Sequence, residues 1–262
     1  MSWVGSIGAG FLARARAINH VAAAAGTLLL MAASPRSWPR TTRMVFARQI
    51  LFTGVEAALF ITLIAVLTGV SVVVQTQVWL SQFGQAEMFG GIFVMVIVRE
   101  VAPLLVNFIV IGRSGTAIAT ELANMKVTGE IRVLEAQGLD PLRYLALPRV
   151  FGMMISVFCL TMVFIVVSLL SGFLSGLLMG LPGDQLDFFV DSVLKALCPG
   201  DVPNLLAKTL APGFLTALIC LIEGLKVKGA ITEVPQACTR GVVKSISMLF
   251  ALSAVITVLL YL

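Results

Sequence analysis

Charge is scarce in this sequence. Asp, Glu, Lys and Arg make up 12% of its 262 residues, about half the share found in a soluble domain. The shortfall is concentrated in runs that carry none at all. Val150–Gly183 has no acidic, basic or histidine residue, and Ala57–Val74 and Ser245–Leu262 are each 18 residues long and equally uncharged. Such runs exclude an ordinary soluble domain, because a helix crossing hydrocarbon is what needs about 20 mostly apolar residues. Histidine is rarer still, with His20 alone. No His-Glu-x-x-His and no Gly-x-Ser-x-Gly occurs, which argues against an intramembrane metalloenzyme or serine hydrolase. The chain also lacks a Gly-rich phosphate loop ending in Lys-Ser/Thr, so it cannot itself hydrolyse ATP through that motif. Its four cysteines, Cys159, Cys198, Cys220 and Cys238, have neither metal-ligand nor redox spacing and form no disulfide framework. Cys159 and Cys220 fall inside apolar runs and read as core residues.

What the chain has in abundance is hydrophobic length, with a mean hydropathy of +1.03. Five spans are expected, at Gln49–Val74, Met88–Ile111, Val150–Gly180, Leu205–Leu225 and Ser245–Leu262. No backbone polar group goes unpaired in lipid, so each must be a helix. The fold class is therefore all-α, a polytopic membrane protein forming a single domain over residues 1–262. Lys and Arg set the orientation. Fifteen of the 18 lie in the N-terminal segment (six, Arg14 to Arg48), the loop after the second span (five, Arg113 to Arg149) and the loop after the fourth (four, Lys226 to Lys244). Lys195 and Lys208 fall on the other side, which instead carries Glu87, Asp184, Asp187, Asp191 and Asp201. This split predicts a cytoplasmic N-terminus and an external C-terminus. It also accounts for the net charge of +5 without a nucleic-acid partner.

Residues 1–40 precede the spans. Val21–Ala33 is an apolar run of signal-peptide length, but Trp3, Val4, Ile7, Phe11 and Leu12 stand where a charged leader would begin. An amphipathic helix lying on the membrane surface fits better. The external segment 181–204 is rich in Pro, Gly and Asp, with a short helix expected at Leu186–Leu197.

Arg99 and Glu100 sit near the middle of the second expected span. A charge at a helix centre costs about 2.5–3.5 kcal/mol on insertion scales, so each demands a partner or a function. Adjacent helical residues do not face one another, and Glu56 in the first span is a candidate partner for Arg99. Two readings stay open, a polar patch lining a substrate path (Arg99, Glu100, Glu56) or an ion pair locking helices. Pro103, one turn on, is expected to kink the helix. In the third span Ser168, Gly172, Gly176 and Gly180 recur every four residues, a spacing for close helix contact, within one subunit rather than across a dimer seam.

The loop Gly112–Arg149 is too long for a turn. Thr116–Gln137 reads as one cytoplasmic helix, with Ile118, Leu122 and Met125 on one face and Val127, Ile131 and Leu134 continuing around Gly129. Lys126 and Glu130 are spaced for an i,i+4 pair. Gly138 ends the helix and Asp140–Pro141 opens a turn. A helix placed there suits a transporter that receives force from a soluble motor; the alternative is a surface-lying loop helix with no partner.

Several of these segments together resemble one family. Arg99-Glu100-Val101-Ala102-Pro103 resembles the Arg-Glu-x-x-Pro of the MlaE family of ABC permeases. Gly112 to Leu122 is similar to that family's Gly-Arg-x-Gly-Ser-Ala-x-x-Ala-Glu-Leu run. Met125-Lys126-Val127-Thr128, Gly138-Leu139-Asp140-Pro141 and Pro148-Arg149 match its central signature, and Thr239-Arg240-Gly241-Val242-Val243 its Thr-x-x-Val-Val. The sequence departs from the pattern at Ala123, at Gly129-Glu130 and at Pro235.

The resemblance implies a permease in the bacterial inner membrane, working as a homodimer. It implies a separate ABC ATPase gripping Glu121, Met125, Lys126, Glu130, Ile131, Leu134 and Glu135, and an MCE-domain protein on the periplasmic face; some members add a STAS-domain subunit. The cargo would be phospholipid or a related lipid moved between inner and outer envelope membranes. This chain would bind no cofactor, with ATP and Mg used by the partner. An ion-coupled secondary transporter of a small amphipathic substrate, using Arg99 and Glu100, is the competing expectation.

Overall fold

The computed structural model describes residues 19, 21–34, 38–83, 89–178 and 191–261. Among them the structure is helical, with five helices long and apolar enough to cross a membrane: Arg40–Thr76, Gly91–Val127, Leu142–Leu178, Asp201–Leu225 and Glu233–Leu260. These are the five expected spans, all longer than expected and the first three the longest. At 1.5 Å per residue, the 37 residues of each of the first three reach about 55 Å, well beyond a hydrocarbon core of about 30 Å. The extra length lies at Arg40, Val127 and Leu142, all at the end of the bundle that carries Arg40, Arg43, Arg48, Arg113, Lys126, Arg143 and Arg149. Charge ends a hydropathy run without ending a helix, and for that reason the sequence reading stopped these spans early.

The spans are not uniform α-helices. π-helical turns occur at Leu51–Val55, Val94–Val101, Ile111–Gly115 and Leu142–Ala146. The third of these carries the second span without interruption into Thr116–Val127. The single helix expected over Thr116–Gln137 is therefore two pieces. Thr116–Val127 continues the second span and packs inside the bundle, burying Ile118, Ala119, Leu122 and Ala123. Gly129, at φ 81°, breaks the chain before the short helix Glu130–Ala136. A left-handed residue has no place in a continuous α-helix, and Gly reaches that conformation without a Cβ clash. The expected Lys126–Glu130 pair is not formed, since Glu130 instead accepts the Thr128 hydroxyl at 3.0 Å.

Small residues set the interhelical contacts. Gly69 of the first span lies on Ser168 and Ser171 of the third, and Gly172 on Val73. Gly224 of the fourth span meets Ala119, and Gly213 meets Met154 and Val157. The Ser168–Gly172 stripe thus packs within one subunit; Gly180 lies outside the described residues. A Cβ on Gly69 would sit 2.3 Å from the Ser168 carbonyl and from the Ser171 hydroxyl. Gly69→Ala must push the two spans apart, and we expect it to lower stability by about 1–3 kcal/mol, read as a reduced melting temperature in detergent.

The fourth span is the most enclosed. Outward surfaces are apolar, with Leu59 85%, Leu178 83% and Leu259 76% exposed, as lipid contact requires. Cys159 is also on an outward surface and only Cys220 is buried, so the expectation that both are core residues holds for one. The apolar helix Val21–Ala33 docks through Leu28, which is 2% exposed. It is followed by Trp38, whose indole N–H donates to the Ala32 carbonyl at 3.1 Å and whose ring meets Phe46 and Phe151 edge-on. The residues before it, including Arg14 and Arg16, lie outside the described residues. Of the expected helix at Leu186–Leu197, residues 191–196 are helical, with Val193 packed beside Val73 and Phe93; Leu197 lies just past the helix end, and residues 186–190 are outside the described residues.

Candidate functional site

At the end of the bundle opposite the basic cluster, charged and polar side chains of three spans meet. The second span brings Arg99, Glu100 and Asn107, the fourth Asp201 and Lys208, and the fifth Thr257. The local cause is Pro103. Lacking an N–H, it cannot bond the carbonyl four residues back, which is that of Arg99. The preceding turn is π-helical, and the Arg99 carbonyl accepts a hydrogen bond from the Lys208 ammonium at 3.0 Å.

Lys208 is 2% exposed and its ammonium also donates to Glu100 Oε1. The same Glu100 oxygen accepts the Thr257 hydroxyl at 3.0 Å. Arg99 grips Asp201 side-on, with Nε 2.6 Å from Oδ1 and Nη2 3.2 Å from Oδ2. Asp201 Oδ2 also accepts the Cys198 backbone N–H at 2.8 Å. Asn107 Nδ2 ties the second span to the fourth by donating to the Lys208 carbonyl at 3.2 Å. Two cations and two carboxylates thus neutralise each other where neither could stand alone. Glu100 and Arg99 are the members open to the surroundings, with side chains 38% and 19% exposed, against 1% for Lys208 and 6% for Asp201.

Arg99 and Glu100 are therefore brought together as expected, but Glu56 is not with them. It lies at the basic end, paired with Arg113 at 2.7 Å, whose guanidinium stacks 5.5 Å over Phe52. The correction has a geometric cause. Because the second span runs on to Val127, Arg99 lies near its non-basic end, while Glu56 follows the π-helical turn Leu51–Val55 towards the basic end of the first span. Asp201, Lys208, Asn107 and Thr257 were not anticipated. Charge distribution alone places Lys208 and Asp201 on the external side, although Lys208 stands inside the apolar run Leu205–Leu225 and is open to the same argument as Arg99.

The expected coupling residues lie at the basic end. Lys126, Glu130 and Glu135 are exposed. Glu121 is exposed but tied to Arg149 at 2.7 Å. Met125 and Leu134 are half-buried against the core, and Ile131 is 4% exposed, so these three serve mainly to dock the segment on its own bundle. Val133, at 57% exposure, is the outward apolar residue that periodicity did not single out.

A family profile described as Permease MlaE matches residues 46–259, which reaches into all five spans and includes the Arg99–Glu100–Asp201–Lys208 cluster. The chain belongs to the MlaE permease family. Curated relatives agree with this membership. The chain is 29% identical over 218 residues to a probable ABC transporter permease protein of Rickettsia prowazekii (strain Madrid E), covering 82% of each. It is 26% identical over 220 residues to the intermembrane phospholipid transport system permease protein MlaE of Haemophilus influenzae, covering 83% of each. It is also similar to the chloroplastic protein trigalactosyldiacylglycerol 1 of Arabidopsis thaliana, 27% identical over 203 residues, or 78% of this chain and 57% of that one. In this MlaE-family permease the Arg99–Asp201 and Lys208–Glu100 pairs are the charged groups set within the apolar part of the spans at the non-basic end.

Proposed function

We propose that this MlaE-family chain is the membrane-spanning subunit of an ATP-driven phospholipid transporter in the bacterial inner membrane, with its basic end cytoplasmic. Two copies would form the core, an ABC ATPase would seat on the segment from Glu121 to Glu135, and an MCE-domain protein would sit at the periplasmic end. The observation that carries this reading is the neutral four-charge cluster of Arg99, Glu100, Asp201 and Lys208, half-open through Glu100 and Arg99. A phospholipid headgroup presents a phosphate to cations and, in zwitterionic lipids, an amine to a carboxylate, and this cluster has both. When the second, fourth and fifth spans shift, the phosphate replaces one carboxylate on its cation and the lipid amine takes up the carboxylate released, so no charge is left bare in the apolar layer. A coupling cation would need a spare carboxylate here, and each of the two present is already matched by a cation, which weighs against an ion-driven transporter.

Reconstitution tests the reading. Proteoliposomes holding the chain, its ATPase and its outer partner are expected to move a fluorescent phospholipid only with ATP and Mg. Movement driven by an ion gradient in the absence of the ATPase would contradict it.

A further inference from the structure

A second lipid-sized feature lies at the basic end, well away from the four-charge cluster. The fourth span presents Leu218, Leu221, Ile222, Leu225 and Lys226 as one stripe at three- and four-residue spacing. Across from it stand Ala24 and Leu28 of the N-terminal helix, with Leu142 at the start of the third span, and the three elements enclose a cavity of about 250 Å³. That is slightly smaller than a pocket for a whole small molecule and suits a length of hydrocarbon chain. The lining offers almost nothing polar: the Thr27 hydroxyl is turned onto the Ala24 carbonyl at 2.9 Å, which leaves the Lys226 ammonium at the rim.

Lys226 is part of an unbalanced cluster. The Glu223 carboxylate, 4% exposed, holds Lys226 at 2.7 Å, Lys244 at 2.9 Å and Arg240 at 3.6 Å. Three cations on one carboxylate leave two positive charges in excess. Their side chains are 46–54% exposed. An ammonium has three donors, and Glu223 takes one from Lys226. Basic pockets between membrane helices on the cytoplasmic side bind anionic lipid headgroups, and here such a rim adjoins an apolar slot.

We propose that this slot holds one acyl chain of an anionic phospholipid, resident rather than carried, whose phosphate is bound by Lys226 with Lys244 and Arg240 nearby. Its placement in the cytoplasmic leaflet rests on the orientation proposed above, but its binding does not depend on what the transporter moves. Lys226 lies 18 residues beyond Lys208 on the same helix, about 27 Å along it, so the two sites are separate.

The test is native mass spectrometry of the full chain in detergent after titration with phosphatidylglycerol or phosphatidylcholine. One phosphatidylglycerol is expected per chain, retained about tenfold more strongly than phosphatidylcholine. Lys226→Gln keeps Glu223 paired with Lys244 and Arg240, and is expected to weaken that retention about fivefold with the lipid-free melting temperature unchanged. Ala24→Phe, which fills the slot, is expected to remove retention of either lipid. Lys195→Gln, at an exposed position near the opposite end of the bundle, is expected to leave it intact. Equal retention of the two lipids, indifference to both Lys226→Gln and Ala24→Phe, or loss on Lys195→Gln would each overturn the proposal. A failed transport assay would bear on the cargo reading alone.

Discussion

Lys208→Met is expected to destabilise the protein by about 3–5 kcal/mol. The substitution keeps the length of the side chain and its burial but removes the ammonium. Glu100 then loses its cation, and the Arg99 carbonyl loses the hydrogen bond it accepts from the Lys208 ammonium. A hydrogen bond to a charged group contributes about 1.5–3 kcal/mol. The companion change Glu100→Gln separates the two effects. If the pair acts as one unit, Lys208→Met/Glu100→Gln will be less destabilised than the sum of the single variants, with a coupling energy of about 1–3 kcal/mol. Unfolding of all three variants in detergent micelles measures it. Additive losses would mean that Lys208 stabilises the fold through packing and the Arg99 carbonyl, with little electrostatic tie to Glu100.

The second large effect is expected at the basic end. Glu130→Arg combined with Val133→Asp reverses one charge and adds another on the outward surface of the short helix Glu130–Ala136. We expect it to weaken association with the ATPase by about 30-fold or more, the scale of losing an interface hot spot, and to remove ATP-dependent lipid movement with it. Both residues are exposed, so stability of the chain itself should change by less than about 1 kcal/mol, the largest part of it from losing an acidic residue at a helix start. Leu134→Asp is a poorer probe, because Leu134 packs on the core and its loss would damage the fold as well as the surface. Undiminished ATPase co-purification in the Glu130→Arg/Val133→Asp variant would remove this helix from the docking surface.

These two predictions fall on residues that differ in how far the sequence exposed them. The five spans were legible because each contains a run that water would not tolerate and lipid would. Their ends were not, because Arg113 and Arg149 interrupt the hydropathy while the helices run on, one through a π-helical turn and one with Arg149 buried against Glu121. Arg99 and Glu100 stood out as charges in an apolar run, yet their partners could not be read from spacing. Asp201 and Lys208 lie about a hundred residues away, and only the packed bundle brings them near. Two signals were nonetheless present. Pro103 marks the Arg99 carbonyl as needing a donor, and Lys208 sits inside an apolar run of its own. The break at Gly129 is hidden in the sequence, because a helix on either side of it satisfies the same apolar pattern.

The account turns on a motor docked at the basic end, and site-specific cross-linking tests this most directly. A photoactivatable thiol reagent attached at Lys126→Cys, in membranes holding the assembled complex, is expected to capture the ATPase subunit, identified by mass spectrometry. The same reagent at Lys195→Cys, on the opposite end, is expected to capture none. Capture of the ATPase from Lys195→Cys, with none from Lys126→Cys, would contradict the orientation and the coupling together.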